Sequence, residues 1–386
     1  MAILLGKLKR IDWAVIIILA IFMAASTFIV YSAVQGTRFE GAHMRHLVFF
    51  GAGFVVTIGT ALFNYRLLLK LSPVLYLLGT ASLVAVYFFG ASINNARGWF
   101  IIPYIDQSVQ PAEFAKLFII LMAAYFLARR DGEPLRLFRD VVPVMLIVFI
   151  PFVWVVIQPD LGNAIIYLVI MIGMLWIANM RYVHVLLFTG LAAAAIFGGI
   201  QLLNAYHDTV EEILVKMGAG HWMGRIDTFL NPEQASSNDT WQVDNSLRAI
   251  GSGSLFGEGF MQGSSVQTGR VPYTYSDSIF VVIGEELGFV GASALLLLYF
   301  LLIFRLILIS IQSAEPGGAY IIIGIVSMFV FQIFQNIGMF LGLLPLTGIT
   351  LPFVSYGGSS LLINMLSIGV ALSVRVHSAK APSEEE

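Results

Sequence analysis

Apolar residues run in long unbroken stretches along this chain, not at the helical or alternating spacing of a water-soluble core. Ten such stretches, each near the ~20 residues that cross a hydrocarbon layer, occupy residues 11–34, 44–63, 71–91, 112–128, 140–157, 161–178, 184–204, 278–304, 319–341 and 356–374. Short polar connections separate them, apart from one long polar stretch over about 205–276 between the seventh and eighth. The pattern predicts an all-α polytopic membrane protein of about ten transmembrane helices. The first stretch follows Lys7, Lys9 and Arg10 as a signal peptide would. It is longer than a signal core of about 7–15 residues and further spans follow, so it reads as a retained helix. Residues 1–386 then form a single membrane domain with a polar, disordered tail from about 378.

Within the long connection, Val210, Ile213, Leu214 and Met217 recur at helical spacing, which predicts a short amphipathic helix over 207–217 lying on the membrane surface. The later part, Gly251 to Gly269, is rich in Gly and Ser. It reads as a flexible outer loop, or as backbone that closes over a ligand, since glycine permits close approach. It is not a phosphate-binding loop, because Gly251 and Gly253 are followed by Gly257 and no Gly-Lys-Ser/Thr is present. No internal repeat is visible, which argues against an inverted-repeat transporter.

Composition narrows the class. Of 386 residues, 58% are hydrophobic and 11% charged, against about 25% charged in soluble domains, and the mean hydropathy is +0.87. These values exclude a soluble enzyme, a nucleic-acid binder and a disordered scaffold. With 21 basic and 23 acidic side chains, net charge points to no partner. Absence of cysteine removes disulfides, thiolate metal sites and cysteine nucleophiles. His43 and His46 are three apart, too sparse a pair to read as a metal site. Placing the N-terminus in the cytoplasm puts thirteen Lys and Arg on the inner side and seven outside, four of those in the long loop. Long loops do not count towards the positive-inside rule, so both termini are expected inside.

Ionisable residues within spans are costly and usually face an internal cavity. Glu113 and Lys116 lie three apart on one face of the fourth span, as a substrate-facing pair or an ion pair that joins helices. Asp160, in Gln-Pro-Asp-Leu-Gly, stands where a helix N-cap is expected. Arg97 sits beside Trp99 in the outer connection 92–111. Asp277 opens the eighth span, and a continuous helix would carry Glu285 and Glu286 about 12–14 Å deeper. A carboxylate at that edge is placed to accept a proton from a sugar hydroxyl. Residues 345–360, rich in Pro, Gly and hydroxyls, read as a re-entrant loop walling a site or as a tight interhelical turn, with Ser355, Ser359 and Ser360 as hydrogen-bonding groups.

These motifs together resemble the SEDS family (shape, elongation, division and sporulation; FtsW/RodA/SpoVE), which comprises polytopic cell-wall glycosyltransferases. The matching segments are RGWF (97–100), QPAEFAKL (110–117), QPDLGNA (158–164), RIDTFLNP (225–232), AIGSGSLFGEGFMQG (249–263), SDSIFVVIGEELGFVG (276–291) and NIGMFLGLLPLTGITLPFVSYGGSS (336–360). They stand in family order over nearly the whole chain. The resemblance implies ten helices, both termini cytoplasmic, a bacterial plasma membrane, and polymerisation of lipid II, the undecaprenyl-pyrophosphate disaccharide pentapeptide. It places the catalytic aspartate on Asp277, and substrate-binding groups on Arg97, Glu113 and Lys116. Asp160, Arg225, Glu285, Ser355 and Ser359 join them as substrate-binding candidates. Many members carry His-Thr-Asp-Phe where Tyr275, Ser276, Asp277 and Ser278 stand here, so the aspartate is kept while its neighbours differ.

QPDLG and NIGM look closer to RodA, the elongation enzyme, than to the division paralogue FtsW. The implied partners are a class B penicillin-binding protein, other proteins of the elongation complex and membrane lipids, with no nucleic acid. Joining a sugar 4-hydroxyl to an anomeric carbon with pyrophosphate leaving needs one general base, not the carboxylate pair of a glycosidase. A divalent cation (Mg or Mn) would assist at the pyrophosphate, although no dedicated ligand set is visible. The rival class is a lipid II flippase, which would move the substrate without forming a glycosidic bond.

Overall fold

The computed structural model describes residues 2–93, 96–102, 107–130, 132–216, 220–230 and 237–378. Among them, nine helices are long and apolar enough to cross a membrane, and a tenth apolar helix is shorter, at seventeen residues. In chain order the first eight helices are α1 (Ala2–Arg10), α2 (Trp13–Val34), α3 (Ala42–Leu62), α4 (Tyr65–Phe89), α5 (Pro111–Leu127), α6 (Val142–Ile157), the short α7 (Leu161–Ile177) and α8 (Tyr182–Ala205). The long connection folds as α9 (His207–Lys216), α10 (Gly220–Leu230), α11 (Ser237–Ser252) and α12 (Ser264–Gln267). The chain closes with α13 (Ile279–Ile311), α14 (Pro316–Phe340) and α15 (Gly358–Ser378). Each of the ten predicted stretches thus holds an apolar helix, nine of them of spanning length.

Burial sorts these helices. Of the most apolar window in each, 67% of α5 and α14 and 72% of α15 are buried, whereas none of α8 is. The core sits around α5, α14 and α15, and α8 lies at the periphery. Small residues bring the central helices together, as expected where lipid supplies no hydrophobic drive. Gly53 of α3 lies under Met365 of α15, and the Thr57 hydroxyl donates to the Met365 carbonyl at 2.8 Å.

Helix ends define two faces. Lys7 of α1 donates to the Leu62 carbonyl at the end of α3, and Tyr65 donates to Glu315 just ahead of α14. We call this the terminal face, and the opposite one, which carries α9–α12, the loop face. On the loop face the connection 91–109 is not all helix and turn. It forms a three-stranded antiparallel sheet of β1 (Ala91–Ile93), β2 (Ala96–Ile102) and β3 (Gln107–Val109), in which Trp99 pairs with Ala91 and Phe100 with Val109.

The largest departure from expectation is in α13. Its backbone leaves the helical region at Gly288 (φ 62°, ψ −161°), a conformation essentially confined to glycine. The chain is thus two limbs, 279–287 and 289–311. Asp12, at the start of α2, pairs with Arg305 of the long limb, and Ser32, near the other end of α2, bonds Glu286. Residues 12 to 32 of α2 span about 30 Å and residues 286 to 305 about 28 Å, so the long limb alone crosses the bilayer beside α2. The short limb lies across the loop face, reaching from Asn336 of α14 at its start to Ser32 of α2 at its end. Glu285 and Glu286 are therefore not 12–14 Å deeper than Asp277. They are level with the loop-face end of α2.

That limb explains the Gly-rich stretch, which is docked against it and not a free loop. A methyl group at Gly253 would lie 2.0 Å from the Gly284 carbonyl, and one at Gly257 (φ +82°) 2.1 Å from that of Glu286. Glu258 and Gly259 donate their backbone N–H groups to the Glu285 and Glu286 carbonyls. The backbone does close tightly, but over the short limb itself. Of the amphipathic helix expected at 207–217, residues 207–216 are observed as α9, paired to α10 through His207 and Asp227, and Met217 lies outside the described residues.

Candidate functional site

Asp277 closes a chain of tight turns ahead of the short limb and is half-buried. Its Oδ1 accepts the Ser276 hydroxyl at 2.9 Å. Its other oxygen, Oδ2, faces Gly348, where a methyl group would come within 4.0 Å. Tyr275, its near neighbour, accepts the Tyr356 N–H on its carbonyl and packs its ring 4.4 Å from Phe39. Arg38 stacks over Phe39 at 4.8 Å, which brings a loop-face cation within electrostatic range of the Tyr275 phenol. Burial raises that phenol above its ordinary value.

Between α14 and α15, residues 345–355 form irregular backbone held inside the protein, as a re-entrant wall requires. Ile349, Leu351, Phe353 and Val354 are buried, and the Leu351 N–H donates to the Ser355 hydroxyl at 2.8 Å. Ser355 is thereby engaged in the loop's own fold. Ser359 donates to the Ser108 carbonyl of β3 at 2.8 Å, and Ser360 bonds Thr350 at 2.9 Å.

The same segment also packs against α7, near a second polar group. A methyl group at Gly162 of α7 would lie 2.7 Å from the Ile349 side chain and 3.3 Å from the Thr347 carbonyl. Two residues earlier, Asp160 caps α7 as its position predicted, accepting the Asn163 N–H at 3.1 Å. Its second oxygen accepts the Gln110 side chain at 2.7 Å and that of Asn163 at 2.9 Å. Gln110 precedes Pro111 at the start of α5, so this bond ties the entries of α5 and α7 together. One turn on, Glu113 accepts from Lys116 at 2.8 Å, with Lys116 fully buried. The second Glu113 oxygen is buried with no hydrogen-bond partner among the described residues. Both charges lie within electrostatic range of Asp160.

The structure thus sets Asp277 against Gly348 and α7, capped by Asp160, against Ile349 and Thr347 of the same segment, with Glu113 and Lys116 linked to it through Asp160. It does not bring Glu285 there. That carboxylate accepts the Ser265 and Val266 N–H groups at 2.7 and 2.9 Å, which pins α12 to the short limb. The backbone of Arg97 lies in β2 opposite Ser92, beside Gly98, where a methyl group would lie 4.0 Å from the Gln110 side chain and 3.9 Å from that of Gln158. The side chains of Arg97 and Arg225 lie outside the described residues. Sequence reasoning missed Gln110, Gly348 and Asn336. Gln110 had a signal, as a polar residue before a helix-starting proline that faces a motif aspartate.

The chain matches the FtsW/RodA/SpoVE cell cycle protein family over residues 7–380. It belongs to that family. It is 34% identical to the probable peptidoglycan glycosyltransferase FtsW of Aliivibrio salmonicida, over 92% of this chain and 84% of that one. Against the peptidoglycan glycosyltransferase MrdB of Escherichia coli K12 it is 32% identical, over 95% and 94%. Among solved structures it resembles a chain of a peptidoglycan synthase complex that coordinates polymerisation and crosslinking. That likeness has a TM-score of 0.76 and 26% identity, covering 95% of this family member and 97% of that chain.

Proposed function

We propose that this protein is a peptidoglycan glycosyltransferase that polymerises lipid II at the extracytoplasmic surface of a bacterial plasma membrane. In this reading the loop face lies outside and both termini lie in the cytoplasm. The reading rests on family membership together with one observation. A half-buried carboxylate, Asp277, stands against the same re-entrant segment that packs on α7, whose cap Asp160 lies within electrostatic range of the buried Glu113–Lys116 pair.

The chemistry fits one base. The acceptor's 4-hydroxyl oxygen bonds to the anomeric carbon as the carbon–oxygen bond to pyrophosphate breaks, with inversion. The hydroxyl proton passes to Asp277, and pyrophosphate leaves as an anion, already stable enough to need no acid. Ser276 donates to one oxygen of Asp277, and the other oxygen lies beside Gly348. Lys116, Arg97 and Arg225 are cations suited to the pyrophosphate or sugar, and Glu113 orients Lys116. A Mg or Mn ion would neutralise pyrophosphate charge. The described residues contain no group of three His, Asp or Glu able to hold one, so no step here runs through a metal. The lipid tail needs a groove between helices, and the head group needs the loop face.

A class B penicillin-binding protein is the partner that would crosslink the strands, within an elongation complex. The motifs QPDLG and NIGM favour the elongation role; identities of 34% to an FtsW and 32% to MrdB do not separate the two. The test is a gel-based polymerisation assay on labelled lipid II with the partner present and its transpeptidase blocked by a β-lactam. Wild type should give a ladder of strands and Asp277→Asn none. A ladder from both removes Asp277 as base, and no ladder from either moves the flippase reading forward.

A further inference from the structure

Asn336 of α14 is fully buried, and its amide nitrogen Nδ2 donates to two carbonyls from separate segments, Asp277 at 2.8 Å and Ile349 at 2.7 Å. Both acceptors are carbonyl oxygens, so only the NH2 end of the amide can face them. Each of its two hydrogens is used. The Asn336 oxygen is buried without a partner among the described residues. Next to it, Gln335 donates to the Pro345 carbonyl at 3.1 Å and the Thr347 hydroxyl at 3.2 Å. Two consecutive amides of α14 therefore grip the re-entrant wall, and only Asn336 also grips Asp277.

We propose that Asn336 is a positioning residue for Asp277, an inference that rests on the reading of Asp277 as the base. By holding the Asp277 and Ile349 carbonyls on one nitrogen, it fixes the gap between the Asp277 carboxylate and Gly348, the opening through which a sugar hydroxyl approaches. An apolar side chain of the same size would pack here without a stranded oxygen, so packing alone does not account for an amide. Misplacing a reacting group by about 1 Å costs on the order of 10²-fold in rate.

The experiment is steady-state polymerisation by the full-length protein with its penicillin-binding partner, comparing wild type, Asn336→Leu and Asp277→Asn, with thermal midpoints measured alongside. Asn336→Leu should lose ~10- to 100-fold in kcat at a temperature where it is fully folded, while KM for lipid II stays near wild type and the thermal midpoint falls modestly, because two carbonyls lose their donor. A kcat near wild type overturns the proposal, as does a kcat that falls only in step with the midpoint. If Asn336→Leu does not fold, Asn336→Ser, whose hydroxyl can hold one of the two carbonyls, is read by the same criteria. Full rate in Asp277→Asn sinks the base and this inference together. An inactive Asp277→Asn beside a fully active Asn336→Leu sinks the tether alone.

Discussion

Ser32 of α2 donates its hydroxyl to Glu286 at 2.5 Å, joining residues 254 apart in sequence. The bond sets the level at which α13 begins to cross the bilayer, because Glu286 is the last turn before the break at Gly288. Gln267 also reaches the same carboxylate oxygen, at 3.4 Å. Glu286→Ala removes the acceptor of the buried Ser32 hydroxyl and leaves the Gln267 amide only its contacts with Ser32. It should cost about 1–3 kcal/mol, read as a lowered thermal midpoint in detergent, with Glu286→Gln retaining more of the wild-type value. Equal midpoints for all three proteins would show that the bond does not hold the limb.

Gly288 is the sharper probe of the same break. A methyl group there would meet the Gly257 nitrogen at 2.4 Å and the Gly253 carbonyl at 2.7 Å, with φ at +62°. Strain in this backbone region is about 1–3 kcal/mol before any clash is added. Gly288→Ala should therefore sharply reduce folded yield and expose 253–263 to protease. Wild-type yield and protection would mean that α13 is a straight helix after all.

The Glu113–Lys116 pair is buried on both sides. Removing one partner of such a pair typically costs about 3–5 kcal/mol, because it leaves a charge without compensation, while replacing both is far milder. Glu113→Gln and Lys116→Met should each destabilise the protein strongly, and the double variant should recover most of the loss. If Lys116 also neutralises pyrophosphate, the recovered double variant stays inactive in the polymerisation assay. Recovered activity would assign the pair to structure alone.

On the loop face, His207 hydrogen-bonds Asp227 at 3.1 Å, and that bond raises the imidazole above its ordinary value of 6.5. A group whose folded value is raised contributes stability fully below the unfolded value and loses it as pH climbs through the folded one. The α9–α10 contact should therefore loosen on the alkaline side of 6.5. Hydrogen exchange in 207–216, corrected for intrinsic rates, should rise across that range in wild type and stay flat in His207→Gln. Parallel curves for the two proteins would remove His207 from the contact.

The spans were legible because membrane insertion is close to a local sum over about twenty residues. Asp160 as a cap and residues 345–355 as buried irregular backbone were legible too, from Asp before a helix and from Pro and Gly at membrane depth. Glu285 was misplaced for an equally physical reason. Apart from Glu285 and Glu286 the run 278–304 is almost wholly apolar, so it carries no periodicity to betray a turn, and Gly288 looks like any of 36 glycines until its neighbours are known.

What the amino-acid sequence determined by itself is how many helices enter the membrane, roughly where they begin and end, and which few ionisable residues stand near them. Those properties follow from hydrophobicity and capping within one stretch of chain. Tertiary structure alone decided which of those residues meet. The bonds from Ser32 to Glu286, from Gln110 to Asp160 and from Asn336 to Asp277 cross 254, 50 and 59 residues. Such partners are set by how closely helices approach one another, through Gly53, Gly162 and Gly288, and no local pattern of residues records that packing.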